Sequence, residues 1–299
     1  MKLYSRSGIS DINKQHDFRM SDSLGQNFLT DRAVINRIIE ESFIEENDLV
    51  IEIGPGMGVL TGEAARYARK VIAIEIDERL LPILDHTLAE HDNIEIINKD
   101  ILKTNLREII ENAKVADSSI NGVKIIGNLP YYITTPIIMK ILEEGTPAES
   151  ITIMMQKEVA DRISAHPGTK AYGALTVAVQ YYCDIYHVAD VPRTDFVPQP
   201  KVDSAVLRLE IKKEKAVDLL DEKMFFICVR AGFNQRRKTL LNCLTGIGGR
   251  EKDEVRKMLE EIGIDPVRRA ETLTIDEFAM IANHLKLMTG RQVLTGMCK

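Results

Sequence analysis

The chain has 299 residues, 44% of them apolar, and 39 Lys+Arg against 45 Asp+Glu give a formal net charge of −6. Single cores stop growing at about 250–300 residues, so this length predicts two domains, and the apolar fraction is enough for a real core. No apolar run is long enough to span a bilayer, and residues 1–30 carry Lys2, Arg6, Lys14 and Arg19 without the apolar block of a signal peptide, so a cytoplasmic protein is expected.

In chain order, the first informative stretch is Leu24-Gly25-Gln26-Asn27-Phe28-Leu29, a glycine turn leading to Asp31. Asp31 is a plausible N-cap for a helix with Val34, Ile35, Ile38 and Ile39 on one face. Asp48–Ile53 reads as a buried parallel strand that runs into Glu52-Ile53-Gly54-Pro55-Gly56-Met57-Gly58, and a helix is predicted from there to about Ala68. Glycines at such a junction let backbone approach a ligand and aim helix N-terminal amides at it. A dinucleotide fingerprint requires glycine at position 59, which is Val59, and no Gly-Lys-Ser/Thr follows to make a P-loop. The Gly54/Gly56/Gly58 spacing, with Glu52 before it, resembles motif I of S-adenosylmethionine-dependent methyltransferases.

Acids follow at suitable intervals. Val71–Ile76 is a second predicted strand ending at Glu75, 23 residues after Glu52, where Rossmann-like sheets place a carboxylate for ribose hydroxyls. A third strand, Ile94–Ile97, ends near Asp100, which can accept an adenine amine while the Ile101 N–H faces a ring nitrogen. Each acid taken singly also reads as a loop residue or helix cap. Three strand ends carrying a glycine loop, Glu and Asp in order point to a cofactor lying across the C-terminal edge of a parallel sheet.

A fourth strand, Val123–Gly127, delivers Asn128-Leu129-Pro130-Tyr131 to the same edge. The exocyclic amine of adenine or cytosine is a poor nucleophile because its lone pair is delocalised into the ring. Two acceptors, the Asn128 side-chain carbonyl and the Leu129 backbone carbonyl, can hold its two protons out of the base plane. Pro130 stiffens the turn, and Tyr131 offers a stacking face. The same four residues also make an ordinary strand-ending turn.

Alternation continues with a helix over Ile137–Leu142, a strand over Ile151–Met155, a helix from Gln156–Arg162 and another over Tyr172–Tyr182. Phe196–Ser204 is an extended, proline-rich segment in which Phe196 either closes the base pocket opposite Tyr131 or plugs the core. Ala205, Leu207, Leu209 and Ile211 then alternate as in a half-buried strand.

From about Glu210 the pattern becomes helical without strands, giving a first domain over 1–210 and a second over 211–299. Phe225, Phe226, Val229 and Phe233 form one apolar face, Asn234–Leu241 is predicted to start a basic helix, and helices are expected over Lys252–Ile262 and Asp276–Met288. Residues 1–204 hold 21 Lys+Arg against 31 Asp+Glu, whereas 205–299 hold 18 against 14. That asymmetry suits a catalytic domain joined to one that contacts a polyanion. Cys183, Cys228, Cys243 and Cys298 form no C-x-x-C pair and the six histidines are scattered, with His187 and His284 read as packed or rim residues, so no metal site or disulfide framework is expected.

Taken together, Gly25–Leu29, Glu52–Gly58, Asn128–Tyr132, Gln156–Arg162 with Tyr172-Gly173, and Phe196–Val206 resemble the KsgA (RsmA) family of ribosomal RNA adenine dimethyltransferases over residues 24 to about 245. The resemblance implies an α/β fold, a Rossmann-like S-adenosylmethionine-dependent methyltransferase sheet with a smaller all-helical C-terminal domain. It also implies dimethylation of two adjacent adenosines in the 3′-terminal hairpin of 16S rRNA within the small ribosomal subunit by a monomer, as part of ribosome biogenesis. Gln26, Asn27 and Leu29 would line the cofactor with Glu52, Gly54, Gly56, Gly58, Glu75, Ile76, Asp100, Ile101 and Asn128. Asn128, Leu129, Pro130, Tyr131 and Phe196 would hold the adenine, and Arg230, Arg236, Arg237, Lys238 and Lys201 would contact RNA. One departure is Ser21-Asp22-Ser23, where the family carries basic residues; Lys14 and Arg19 are the candidates to serve instead. The rival readings are a macrolide-resistance type 23S rRNA adenine methyltransferase and a non-catalytic assembly or transcription factor on the same scaffold.

Overall fold

The computed structural model describes residues 3–21 and 24–296, with side chains through Met288, so Asp22, Ser23 and Cys298 lie outside the described residues. The elements are α1 (Arg6–Gln15), β1 (Phe28–Leu29), α2 (Arg32–Glu41), β2 (Leu49–Ile53), α3 (Val59–Ala65), β3 (Lys70–Glu75), α4 (Leu81–Thr87), β4 (Ile94–Asn98), α5 (Leu106–Ala116) and β5 (Val123–Asn128). They continue with α6 (Thr134–Glu143), β6 (Ser150–Gln156), α7 (Lys157–Ile163), α8 (Ala174–Tyr182), β7 (Cys183–Val191), β8 (Phe196–Val197) and β9 (Ser204–Ile211). Four helices follow: α9 (Glu222–Asn234), α10 (Leu240–Leu244), α11 (Lys252–Glu261) and α12 (Ile275–Gly296). Two compact units result, Met1–Ala160 with Asp184–Ile211, and Asp161–Cys183 with Lys212–Lys299. A boundary at 210 leaves 161–183 on the first side, whereas the α8 rings of Tyr181 and Tyr182 pack among Phe225 and Phe226 of α9 in the second unit.

The first unit is built on a seven-stranded sheet of order β4-β3-β2-β5-β6-β9-β7, with a separate β1–β8 ribbon. Strands β4, β3, β2, β5 and β6 are mutually parallel, and β9 runs antiparallel to β6. The runs Leu49–Ile53 and Ser150–Gln156 are buried along almost their whole length, as strands covered on both faces require. The chain steps outward from β2 through β3 to β4, then returns to the other side of β2 with β5. That reversal leaves the C-terminal ends of β2 and β5 side by side, with Glu52 paired to Ile126, which makes a crevice there.

The helix after Asp31 forms as its spacing predicts: the Asp31 carboxylate accepts from the Ala33 and Val34 N–H groups, and Ile35, Ile38 and Ile39 are buried. Sequence reading misses α1, whose Ile9 and Ile12 are buried although its other residues are mostly polar. It also misses β7, whose buried residues Cys183, Val188 and Val191 do not fall on alternate positions.

In the second unit, the expected basic helix from Asn234 does not exist. Helix α9 ends at Asn234, and residues 235–239 form a turn before α10, so Arg236, Arg237 and Lys238 sit on a connection. The apolar face of α9 is as expected: Phe225, Phe226 and Val229 are buried, and the Phe233 ring lies 5.8 Å from both Tyr172 and Phe278. Glu222 accepts from the hydroxyls of both Tyr181 and Tyr182, which stabilises the join of α8 and α9. Among the described residues no helix is long and apolar enough to cross a membrane, and no group of three or more His, Cys, Asp or Glu could hold a metal ion.

One polar group sits inside the central strand. Glu52 is 1% exposed, and the Thr61 hydroxyl from α3 donates to its carboxyl at 2.5 Å. Burial pushes this carboxyl up to about 8, against the lowering effect of the Thr61 hydrogen bond, with nearby Glu75 adding a further rise. Folded protein therefore holds the Glu52 proton up to about pH 8, while the unfolded chain releases it near 4.5. Between those values the folded state binds more protons, and stability falls as pH rises, by at most about 1.4 kcal/mol per pH unit. Glu52→Gln, which keeps an acceptor for Thr61, is expected to flatten this slope. Denaturant unfolding of both proteins at pH 5, 6, 7 and 8 checks it, and parallel curves would refute the assignment.

Candidate active site

A cleft of about 1160 Å³, counted to its open mouth, lies at the crevice between β2 and β5 and is walled by residues of the first unit alone. Its floor is the loop after β2. Gly54, Gly56 and Gly58 have φ of +70°, +59° and +84°, a region that L side chains rarely adopt, and Gly58 caps the start of α3. Gly56 is also sterically confined, because a Cβ there would stand 2.9 Å from the Phe28 ring. A Cβ on Gly54 would have the Asn128 backbone oxygen at 3.9 Å as its nearest neighbour, so the loop and the end of β5 face each other closely.

The predicted acids lie on successive strand ends of this cleft. Glu75 closes β3, is 5% exposed, and accepts from the Asp77 N–H at 2.8 Å and the Gly56 N–H at 3.4 Å. Burial raises its carboxyl above the usual carboxylate range against these backbone donors. Asp100 follows β4, and one of its oxygens accepts from the Leu102 N–H at 2.9 Å. Ile76 lines the cleft with 53% of its surface exposed, an apolar side chain without cover, and Ile101 lines it from a short turn of helix.

The tetrapeptide closes β5. The Asn128 amide nitrogen donates to the Asn27 backbone oxygen at 2.9 Å, which fixes the side chain by its donor end. Its carbonyl oxygen has no protein partner among the described residues, and Asn128 lines the cleft. The Leu129 N–H donates to the Met154 oxygen at 3.3 Å, while the Leu129 carbonyl accepts from no described residue. Pro130 turns its own carbonyl toward the start of α6, accepting from the Ile133 N–H and the Thr134 hydroxyl, each at 3.1 Å. The Tyr131 hydroxyl shares a 2.7 Å hydrogen bond with Ser204, which is 0% exposed at the start of β9. Burial raises the Tyr131 phenol above its ordinary value despite that bond, so the ring stays neutral.

Phe196 is a correction. It is 0% exposed, sits in the apolar cluster with Leu29, Ile35 and Val206, and pairs with Leu29 in the β1–β8 ribbon, so it plugs the core and offers no face to a ligand.

Gln26, Asn27 and Leu29 do line the cleft, but Gln26 also has a task that sequence reading did not find. Its amide accepts from the Ser21 N–H at 2.8 Å and donates to Asp77 at 2.7 Å. Asp77, 5% exposed, also accepts two hydrogen bonds from the Arg79 guanidinium. Burial pushes its carboxyl up, but Arg79 and Gln26 outweigh that and hold it below the usual range. Arg79 in turn lies 5.4 Å over the Phe18 ring. Phe28, Met57 and Tyr132 are further wall residues absent from the predicted set, and only the contact of Phe28 with Gly56 reveals its place.

The expected RNA contacts divide. Arg230, Arg237, Lys238 and Lys201 are exposed. Arg236 instead donates to the backbone oxygens of Lys170 and Tyr172, and so fastens the loop before α8.

A model of the family described as "Ribosomal RNA adenine dimethylase" matches residues 17–287. A "Ribosomal RNA small subunit methyltransferase A" from Clostridioides difficile is 50% identical, covering 94% of this chain and 96% of its own. Among solved structures, a dimethyladenosine transferase from Plasmodium falciparum is similar with a TM-score of 0.73 at 25% identity, covering 85% of this chain and 95% of that one. The 23S rRNA methyltransferase ErmE is similar with a TM-score of 0.65 at 28% identity, covering 87% and 99%. A match of that extent, over a strand order and a glycine-loop cleft already evident in the coordinates, means that this chain belongs to the ribosomal RNA adenine dimethylase family.

Proposed function

We propose that this protein is an rRNA (adenine-N6,N6)-dimethyltransferase that modifies two adjacent adenosines in the 3′-terminal hairpin of 16S rRNA within the small ribosomal subunit. It uses S-adenosyl-L-methionine and acts in the cytoplasm during ribosome biogenesis. The observation that carries this reading is the Asn128 amide, held at its nitrogen by the Asn27 carbonyl and so left with its oxygen unpartnered beside the Leu129 carbonyl.

The cleft residues fit S-adenosyl-L-methionine. Glu75 keeps lone pairs for two ribose hydroxyls beyond those that meet the Gly56 and Asp77 amides. The second Asp100 oxygen, 3.7 Å from the exposed Lys103 ammonium, keeps lone pairs for an adenine amine, uncovered Ile76 suits the face of a purine, and the glycine loop leaves room for close backbone approach. When bound, that group supplies an electrophilic methyl.

The protein's part is to make the target amine nucleophilic. Asn128 Oδ1 and the Leu129 oxygen accept its two hydrogens, draw the nitrogen toward tetrahedral geometry and localise its lone pair. After transfer the methylated nitrogen is cationic and acidic, so it releases its proton to solvent without a general base, while the two carbonyls act only as hydrogen-bond acceptors. Tyr131, braced by Ser204, supplies a fixed stacking face that limits motion of the base. Dimethylation requires the pocket to admit the singly methylated base, which retains one N–H for these acceptors. Arg230, Arg237 and Lys238 contribute affinity through RNA phosphates while the cleft reads a flipped-out base. The small-subunit target is preferred over a large-subunit one because the relative of highest identity reported above bears the small-subunit name.

The direct test is methyl transfer from labelled S-adenosyl-L-methionine to unmethylated small subunits and to 23S rRNA, with mapping of modified bases. Dimethyladenosine in the small-subunit 3′-terminal hairpin is expected, and label only in the large-subunit RNA would overturn the assignment. In the same assay Asn128→Ala should lose at least about 100-fold in turnover while still binding RNA; unchanged turnover would remove the amine-activation step. Ser204→Ala should reduce turnover in the wild-type background yet add nothing to Tyr131→Phe, and equal losses in both backgrounds would show that Ser204 acts elsewhere. Replacing Arg237 and Lys238 by Ala should weaken RNA binding and reduce its salt slope by about 1–2. An unaltered slope would make that turn a merely solvated one.

A further inference from the structure

On the first unit, two exposed rings share one arginine. The Arg208 guanidinium, on β9, lies 4.8 Å from the centroid of the Phe43 ring and 4.2 Å from that of Tyr186, on β7. Phe43 is 58% exposed and Tyr186 44%, whereas the Arg208 side chain is only 11% exposed and its charge is met by Glu210 at 2.7 Å. Phe43 also has a φ of +47°, where glycine or asparagine is at ease and an aromatic residue is not. An ordinary turn residue would serve the chain better there than this uncovered ring does.

The rim of this patch is acidic. Glu40, Glu41, Glu45 and Glu46 fall within seven residues around Phe43, with no base among them. Arg37 comes within 4.0 Å of Glu41, while Glu40, Glu45 and Glu46 are exposed and form no ion pair among the described residues. Such a rim repels a phosphate backbone and draws a cationic chain. The rings add a choice among cations, because guanidinium stacks on aromatic faces and both rings already hold one in Arg208. The patch also lies away from the cleft. Arg208 is paired to Thr152 near the start of β6, and Phe43 is in the connection that enters β2, so both sit toward the sheet edge opposite the glycine loop and Asn128.

We propose that Phe43, Tyr186 and Arg208, with the flanking glutamates, form a docking surface for an arginine-rich segment of a partner protein. Incoming guanidinium groups stack on the exposed parts of the two rings and pair with the Glu45 and Glu46 carboxylates. This inference goes beyond methyl transfer and does not rest on it: the patch and the cleft can be occupied at the same time.

The probe is a fluorescein-labelled peptide of alternating arginine and glycine, titrated with the full chain, with its lysine counterpart and a single-stranded oligouridine alongside. Phe43→Ala with Tyr186→Ala trims two exposed rings and is expected to weaken binding of the arginine peptide about tenfold. Glu45→Gln with Glu46→Gln should weaken it about fivefold at low salt and lessen its salt dependence. The same loss of charge on α5, by Glu108→Gln with Glu111→Gln at two exposed positions, should leave affinity within about twofold. The lysine peptide should bind about fivefold more weakly than the arginine peptide and lose less in the ring variant. Wild-type affinity in the ring variant, or equal losses from the two glutamate pairs, would overturn the docking surface. A lysine peptide that binds as tightly as the arginine one would overturn the stacking contact. Oligouridine affinity that falls in the ring variant would assign the rings to RNA bases and overturn the protein partner.

Discussion

The hydrogen-bonded pairing of β2 with β5 is the constraint on which the site depends. Because the chain leaves β2 toward β3 and β4 and later returns on the opposite side, two loops that are 74 residues apart at Gly54 and Asn128 emerge together. The approach is close: a Cβ at Gly127 would stand 2.6 Å from the Ile53 oxygen, so the penultimate position of β5 has no room for a side chain. Glycine there lets the strand end press against the β2 loop. The acceptors of the tetrapeptide and the amides of the glycine loop then share one cleft, with Glu75 and Asp100 on the next two strand ends outward.

A second constraint is the turn at Asp77. Its carboxylate receives the Gln26 amide and the Arg79 guanidinium, its own N–H donates to Glu75, and Arg79 covers the Phe18 ring. The segment before β1 is thereby fastened to the strand end that carries Glu75. These are charge-assisted bonds on a nearly buried carboxylate, so the loss of one partner leaves charge without compensation. The N-terminal side of the cleft is part of the pocket wall, and its register is set by this turn.

Much of this was legible in sequence, because the signals were of kinds that sequence can carry. Buried parallel strands are apolar runs, left-handed turns are glycines, and the Asp31 cap is an oxygen at the right offset from an apolar stripe. Glu52, Glu75, Asp100 and Asn128 were placed at strand ends because parallel strands joined by helices bring all their C-terminal ends to one edge, whatever their order across the sheet. What failed depended on contacts between distant residues. Phe196 looks the same in sequence whether it stacks on a base or packs against Leu29. Arg236 gives no sign that carbonyls 66 and 64 residues away take its protons. The turn at 235–239 interrupts a stretch whose local propensity is helical, and the edge strand β7 and the amphipathic α1 take their places from packing more than from pattern.

The meeting of Gly56 with Phe28 has a further consequence for how such a chain can vary. The ring of one residue fills the volume that any side chain at the other would need, across 28 positions of sequence. Position 56 carries the additional restriction of φ +59°. The coupling is one-sided: a side chain at 56 meets both the ring and an unfavourable backbone conformation, and trimming residue 28 would relieve only the first while hollowing the wall of the cleft. Position 56 is thus closed to drift by two independent constraints, although it need not touch the reacting atoms.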